Sequence, residues 1–215
     1  MDTMTRPAPG LRVDVPPGFA GIPITGGPEA IAAAVRRMAQ RIGTAAPEQS
    51  GDIEENLGGL AHFLAQREVR LFGRFAVTGD DTREPALANL ALAIVDFGES
   101  PEGVGAGGAN RVVAAATLVK QYRDRHPDAD VQVVELAGGP AMVAQRAGYH
   151  QVGDTRRVPE FKAEFQLPSP DTRRLAVMVV STGEEAAWPA VAAAAMRSAH
   201  SIRFEEPDSD QAANR

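Results

Sequence analysis

The chain has 215 residues, 44% hydrophobic, 23% charged and only 5% aromatic, with a formal net charge of -6. That length suits one self-sufficient domain, and the acidic balance argues against a nucleic-acid partner, which needs clustered Lys and Arg against phosphate. The lack of cysteine excludes disulfides, thiolate nucleophiles and Cys-type metal centres.

Residues 1–10 (MDTMTRPAPG) carry no apolar run and read as a tail without a secretory leader. Leu11, Val13 and Val15 alternate with Arg12 and Asp14, a short strand stopped at Pro16-Pro17-Gly18. Pro28 suits a first helical position, and Ile31, Val35, Met38 and Ile42 then share one helical face that closes at Gly43. Asp52 and Glu55 form a capping box for a second helix with Ile53, Leu57, Leu60 and Leu64 inward. The two helices make a helical hairpin inserted at about 28–67.

Strand patterns follow. Val69, Leu71, Phe75 and Val77 share parity against Arg70 and Arg74, and 87–97 (LANLALAIVDF) is apolar enough to sit centrally. Asn110 is the expected N-cap of a helix reaching about Arg125, with Val112, Val113, Ala116 and Val119 inward. Val131–Leu136 and Ala141–Arg146 flank Ala137-Gly138-Gly139-Pro140 as a hairpin. Phe161–Leu167 alternates cleanly, and Pro168-Ser169-Pro170-Asp171 turns the chain into Leu175–Ser181. A last helix from about Glu184 places Ala187, Val191 and Ala195 (or Ala194) inward, before a closing strand at Ser201–Phe204. The pairs Arg156-Arg157 and Arg173-Arg174 read as solvated loop charges. Tight loops between these strands cannot join parallel neighbours, so the expected fold class is α+β. A central antiparallel sheet is flanked by helices as an α/β/α sandwich, with one domain over 11–204 and a polar tail at 205–215.

Several motifs invite a chemical reading and fail it. Gly103-Val104-Gly105-Ala106-Gly107-Gly108 satisfies G-x-G-x-x-G, whose glycines bring a pyrophosphate onto a helix N-terminus. The spacer Gly98–Glu102 parts the preceding strand from the first glycine, and Glu135 lies beyond the ≈ 20 residues at which the ribose acid belongs. Val133–Gly139 resembles the opening of a class I methyltransferase, but too little chain follows, and Pro140 removes a backbone donor. His62, His126, His150 and His200 are scattered without metal spacing. No serine stands in G-x-S-x-G. No catalytic, cofactor-binding or metal-ligating residue is assigned. Trp188 remains either a core anchor or a partner-binding hot spot.

Val13-Asp14-Val15-Pro16-Pro17-Gly18-Phe19 with Ile22-Pro23, and the ending Leu175–Thr182, Trp188 and Ser201–Glu205, resemble the two ends of PsbP-like proteins of the Mog and PsbP superfamily. The resemblance implies an antiparallel sheet between helices and a non-enzymatic binding or assembly role, and it transfers no functional residue. High alanine and arginine with only two lysines suggest a GC-rich bacterial source, and no apolar stretch reaches the ~18 residues of a membrane helix, so a cytoplasmic location is expected. The expected partner is a protein, with homo-oligomerisation open and neither nucleic acid nor membrane involved. The alternative is a small-molecule or nucleotide-binding domain using the Gly103–Gly108 loop.

Overall fold

The computed structural model describes residues 10–24, 27–43, 64, 68–78, 85–97, 108–152 and 156–205. The second helix of the expected hairpin lies outside the described residues except for Leu64, which is helical. Both tails and the loop 98–107 lie outside them too.

The elements in chain order are β1 (Gly10–Arg12), β2 (Ala20–Pro23), α1 (Gly27–Gly43), β3 (Val69–Val77), β4 (Ala86–Asp96), α2 (Gly108–Arg125), β5 (Asp130–Leu136), β6 (Gly139–Val152), β7 (Arg156–Pro168), β8 (Arg174–Thr182), α3 (Trp188–Ser201) and β9 (Arg203–Glu205). A 3-10 turn, Glu185–Ala187, leads into α3. Seven strands form one sheet in the order β2-β3-β4-β8-β7-β6-β5, while β1 and β9 make a separate pair. Every pairing is antiparallel. The fold is α+β, a large antiparallel sheet flanked by helices.

Alternation explains the layers. Ala88, Leu90 and Leu92 of β4 lie on one face with Met178 and Val180 of β8 and Phe165 of β7, beneath Val191, Ala194, Ala195 and Ala199 of α3. Alanines at the contact let the α3 backbone approach closely, which replaces bulk with proximity. On the opposite face α2 brings Leu118, Val119 and Tyr122 onto Val131, Met142, Ala144 and Leu175. Farther along that face, Ala34 and Val35 of α1 pack with Ile24, Val69 and Phe72.

Four sequence expectations need correction. The N-terminal strand covers only Gly10–Arg12, and the next segment to pair is β2, which joins the sheet edge against β3. Val69 does not share a face with Leu71 and Phe75, because a bulge between Val69 and Leu71 reverses parity and turns Val69 toward α1. The α2 helix starts two residues ahead of Asn110, so Asn110 is a buried residue inside the first turn. Its inward face is Ala114, Ala115, Leu118, Val119 and Tyr122, whereas Val112 and Val113 are each 53% exposed. Burying the alanine pair seats α2 tightly enough for Tyr122 to reach the sheet. Finally, Arg156 and Arg157 belong to β7, and Arg174 opens β8 3.6 Å from Asp96.

One close approach fixes the sheet edge. Gly21 of β2 stands opposite Gly73 of β3, and the Phe19 ring covers both. A Cβ on Gly21 would come within 2.2 Å of that ring, and one on Gly73 within 2.5 Å of it and of the Ala20 carbonyl oxygen. Gly73→Ala should therefore destabilise the fold by about 1–3 kcal/mol through overpacking. Urea denaturation measures it, and Phe19→Leu in the same chain should recover part of the loss.

Candidate functional site

The glycine motif cannot be placed, since Gly103–Gly107 lie outside the described residues, and Gly108 opens α2. Val133–Gly139 is the β5–β6 hairpin, with Leu136 opposite Gly139 and Glu135 opposite Pro140. Gly139 holds φ at 119°, a conformation that suits glycine. His62 lies outside the described residues. His126 is half-buried with its ring 4.7 Å from that of Tyr122, His150 belongs to β6, and His200 is exposed near the end of α3. Among the described residues no group of three or more His, Cys, Asp or Glu could hold a metal ion. Trp188 is half-buried at the start of α3, its ring 6.1 Å from that of Phe161.

Arg111 of α2 is a clamp. Its Nε and Nη2 donate to the Pro168 carbonyl at 3.1 and 2.8 Å, and Nη2 also donates to the Gly138 carbonyl. One side chain thus ties the helix to the β5–β6 turn and to the end of β7. Burial pulls its pKa down, and the nearby Glu135 carboxylate partly restores it.

The two longest described strands, β6 and β7, pair with each other beyond their neighbours. Pairing of β6 with β5 stops at Gln145, and pairing of β7 with β8 stops at Phe161. Yet β6 and β7 stay paired from Ala147–Phe161 out to Val152–Arg156. Among the described residues a two-stranded ribbon therefore continues beyond the flanking strands by roughly 15–20 Å at the strand rise. Its two edges differ. A Cβ on Gly183 would sit 3.3 Å from the Pro159 carbonyl oxygen, so the Pro159 backbone points away from β6 and removes a donor from the β7 edge. Opposite Pro159 stands Tyr149, whose N–H and C=O must then point outward on the β6 edge, as do those of Ala147 and Gln151. Tyr149 is 67% exposed, and the Arg157 guanidinium lies 5.5 Å from its ring centroid.

At the root of the ribbon a polar row crosses the sheet on the α1/α2 face. Arg74, Asn89, Ser181, Lys162 and Arg146 stand opposite one another on five successive strands, β3, β4, β8, β7 and β6. Arg74 Nε donates to Asn89 Oδ1 at 2.8 Å. Lys162 Nζ lies 3.0 Å from Glu164 Oε2, while Gln166 Nε2 donates to Glu164 Oε1 at 2.6 Å and the Tyr122 hydroxyl to Oε2 at 3.4 Å. Glu164 is thus committed. Arg146 Nε is buried without a hydrogen-bond partner, an arrangement that costs about 1–3 kcal/mol if it stays unmet. Burial, followed by the Glu164 charge, pushes the Tyr122 pKa up to about 12.

A cleft of about 530 Å³ opens between Pro16-Pro17, the end of β3 and α3. Its size suits a small ligand, but its walls are mainly Ala and Pro, with Thr78 and Arg197 as the side chains that can donate hydrogen bonds. That lining fixes no orientation.

Among known proteins, no family model, curated protein or solved structure matches this chain. That result overturns the PsbP-like attribution, and with it the bacterial and cytoplasmic ones, which rested on loose end motifs and composition. Among the described residues no helix is long and apolar enough to cross a membrane.

No spacing in the sequence signals the polar row, because positions 74, 89, 146, 162 and 181 meet only through the register of distant strands. No local pattern marks the ribbon either, since the alternation of Phe161–Leu167 covers the part of β7 that pairs with β8.

Two measurements test these contacts. Arg111→Met should cost about 1–3 kcal/mol, because two carbonyls lose a donor, and chemical denaturation reads it directly. Tyr122 ionises near 10 when unfolded and at about 12 when folded, so its contribution is intact below about pH 10 and is lost as pH rises through about 12. Near-ultraviolet tyrosinate absorbance should show that late ionisation, and Tyr122→Phe should remove both it and the alkaline loss of stability.

Proposed function

We propose that this protein is a non-catalytic protein-interaction or assembly module whose contact element is the β6–β7 ribbon. The observation that carries the reading is that, among the described residues, the β6 edge beyond Gln145 has no strand paired to it, with Tyr149 67% exposed beside it. An extended segment of a partner continues the line of β5 there, pairing with the outward backbone groups of Ala147, Tyr149 and Gln151. Such strand addition gains affinity from main-chain hydrogen bonds and specificity from side chains. Tyr149 supplies a large, amphipathic anchor of the kind enriched at interface hot spots, steadied by Arg157 across its ring. Pro159 blunts the β7 edge and leaves β6 as the pairing side. Among the described residues the helices pack on the two faces of the sheet, and the ribbon continues past the strands that flank it.

A photo-crosslinking residue at position 149 tests the idea in cells that make the full chain. A discrete adduct is expected, and Gln151→Pro, which removes an outward N–H, should abolish it. As a solvent-exposed change away from the core, Tyr149→Ala should alter stability by no more than about 0.5 kcal/mol while weakening partner binding at least tenfold. An adduct that persists in Gln151→Pro, or its absence with crosslinkers along the whole ribbon, refutes the proposal.

A further inference from the structure

Among the described residues the polar row carries three cations, Arg74, Lys162 and Arg146, of which Lys162 alone is held in an ion pair. Arg146 and Lys162 stand directly opposite each other on the same face, a like-charge pairing that is unfavourable unless a counter-charge sits between them. Among the described residues Glu164 is the carboxylate in ion-pair contact with the row, and Lys162, Gln166 and Tyr122 already donate to its two oxygens. Glu160 faces the same side opposite Gly148, yet among the described residues no ion pair joins it to either cation. Arg146 Nε stays buried and unpartnered. Beside it there is room, since a Cβ on Gly148, the next residue of β6 on that face, would meet nothing within 4 Å. On the other side of Lys162 stands Ser181, half-buried, with a hydroxyl that can donate.

We propose that Arg146, Lys162 and Ser181 form a binding site for the phosphate group of a small molecule, at the root of the ribbon. A planar guanidinium fork, an ammonium and a hydroxyl stand in one row on three adjacent strands, donors that suit a tetrahedral oxyanion through charge-assisted hydrogen bonds. A phosphate seated there supplies Arg146 Nε with its acceptor and separates the two cations. Beyond Ser181 the row continues to Asn89 and Arg74, which lie under the remainder of the ligand. Tyr122 lies on the α2 side, where its hydroxyl donates to Glu164.

The test needs no protein partner, so it stands or falls apart from the ribbon's role. The Nε–H cross-peak of Arg146 is followed by nitrogen-15 NMR of the full chain, titrated with inorganic phosphate and then glycerol 3-phosphate. Ionic strength is held constant with chloride. A saturable shift of that cross-peak is expected, with at least tenfold weaker binding in Lys162→Gln and a several-fold loss in Ser181→Ala. Arg146→Lys should retain partial affinity and Arg146→Gln should not. Should an Arg146 variant fail to fold, the Lys162 and Ser181 variants decide the matter. A cross-peak that stays still, a shift that rises linearly at every arginine, or titrations unchanged in Lys162→Gln each overturn the site.

Discussion

The ladder between β4 and β8 is the seam on which the structure depends. It runs from Asn89–Ser181 to Asp96–Arg174 and joins two antiparallel meanders, β2-β3-β4 and β5-β6-β7-β8, that the chain forms far apart in sequence. Together they bring Leu90, Leu92, Met178 and Val180 under α3, all at most 3% exposed. A long-range pairing of this kind costs loop-closure entropy before its contacts form, so the seam also marks the step that commits the chain to its topology. The polar row crosses the same seam, through Asn89 and Ser181.

Much of the sheet was legible because its strands alternate or run apolar between clear turns. The β5–β6 turn, the Pro168–Asp171 turn and the buried face of α3 all follow from local pattern. The failures share one cause: sequence periodicity reports which residues could be buried, not what they meet. In α2 the valines are the more hydrophobic stripe, but the sheet surface under Val131 and Met142 accepts alanines and a tyrosine at close range. In β3 one bulge residue changes the face of Val69. The ribbon and the polar row depend on where neighbouring strands end, which no single segment encodes. Of the end motifs that suggested a family, the strand around Leu175–Thr182 and the helix opening at Trp188 are present, whereas 13–19 forms no strand, and such motifs are too generic to carry an identity.

The functional reading rests on geometry that is unusual for a self-contained fold. An antiparallel sheet generally protects its edges, and here the β7 edge has its proline while the β6 edge continues open with an exposed tyrosine. Next to it, Arg146 stands opposite Lys162 and, among the described residues, makes no ion pair of its own. Strand pairing would rigidify the ribbon from its tip, and an anion would do so from its base, so occupancy at either place stiffens the same two strands.

The small β1–β9 pair has a mechanical meaning. Gly10 lies opposite Glu205 and Arg12 opposite Arg203, so the segments preceding β1 and following β9 leave from the same end. Tension applied through them would peel this clasp open rung by rung rather than shear it all at once. The outermost layer would yield at low force, exposing Leu11 and Phe204, while the large sheet behind it stayed intact.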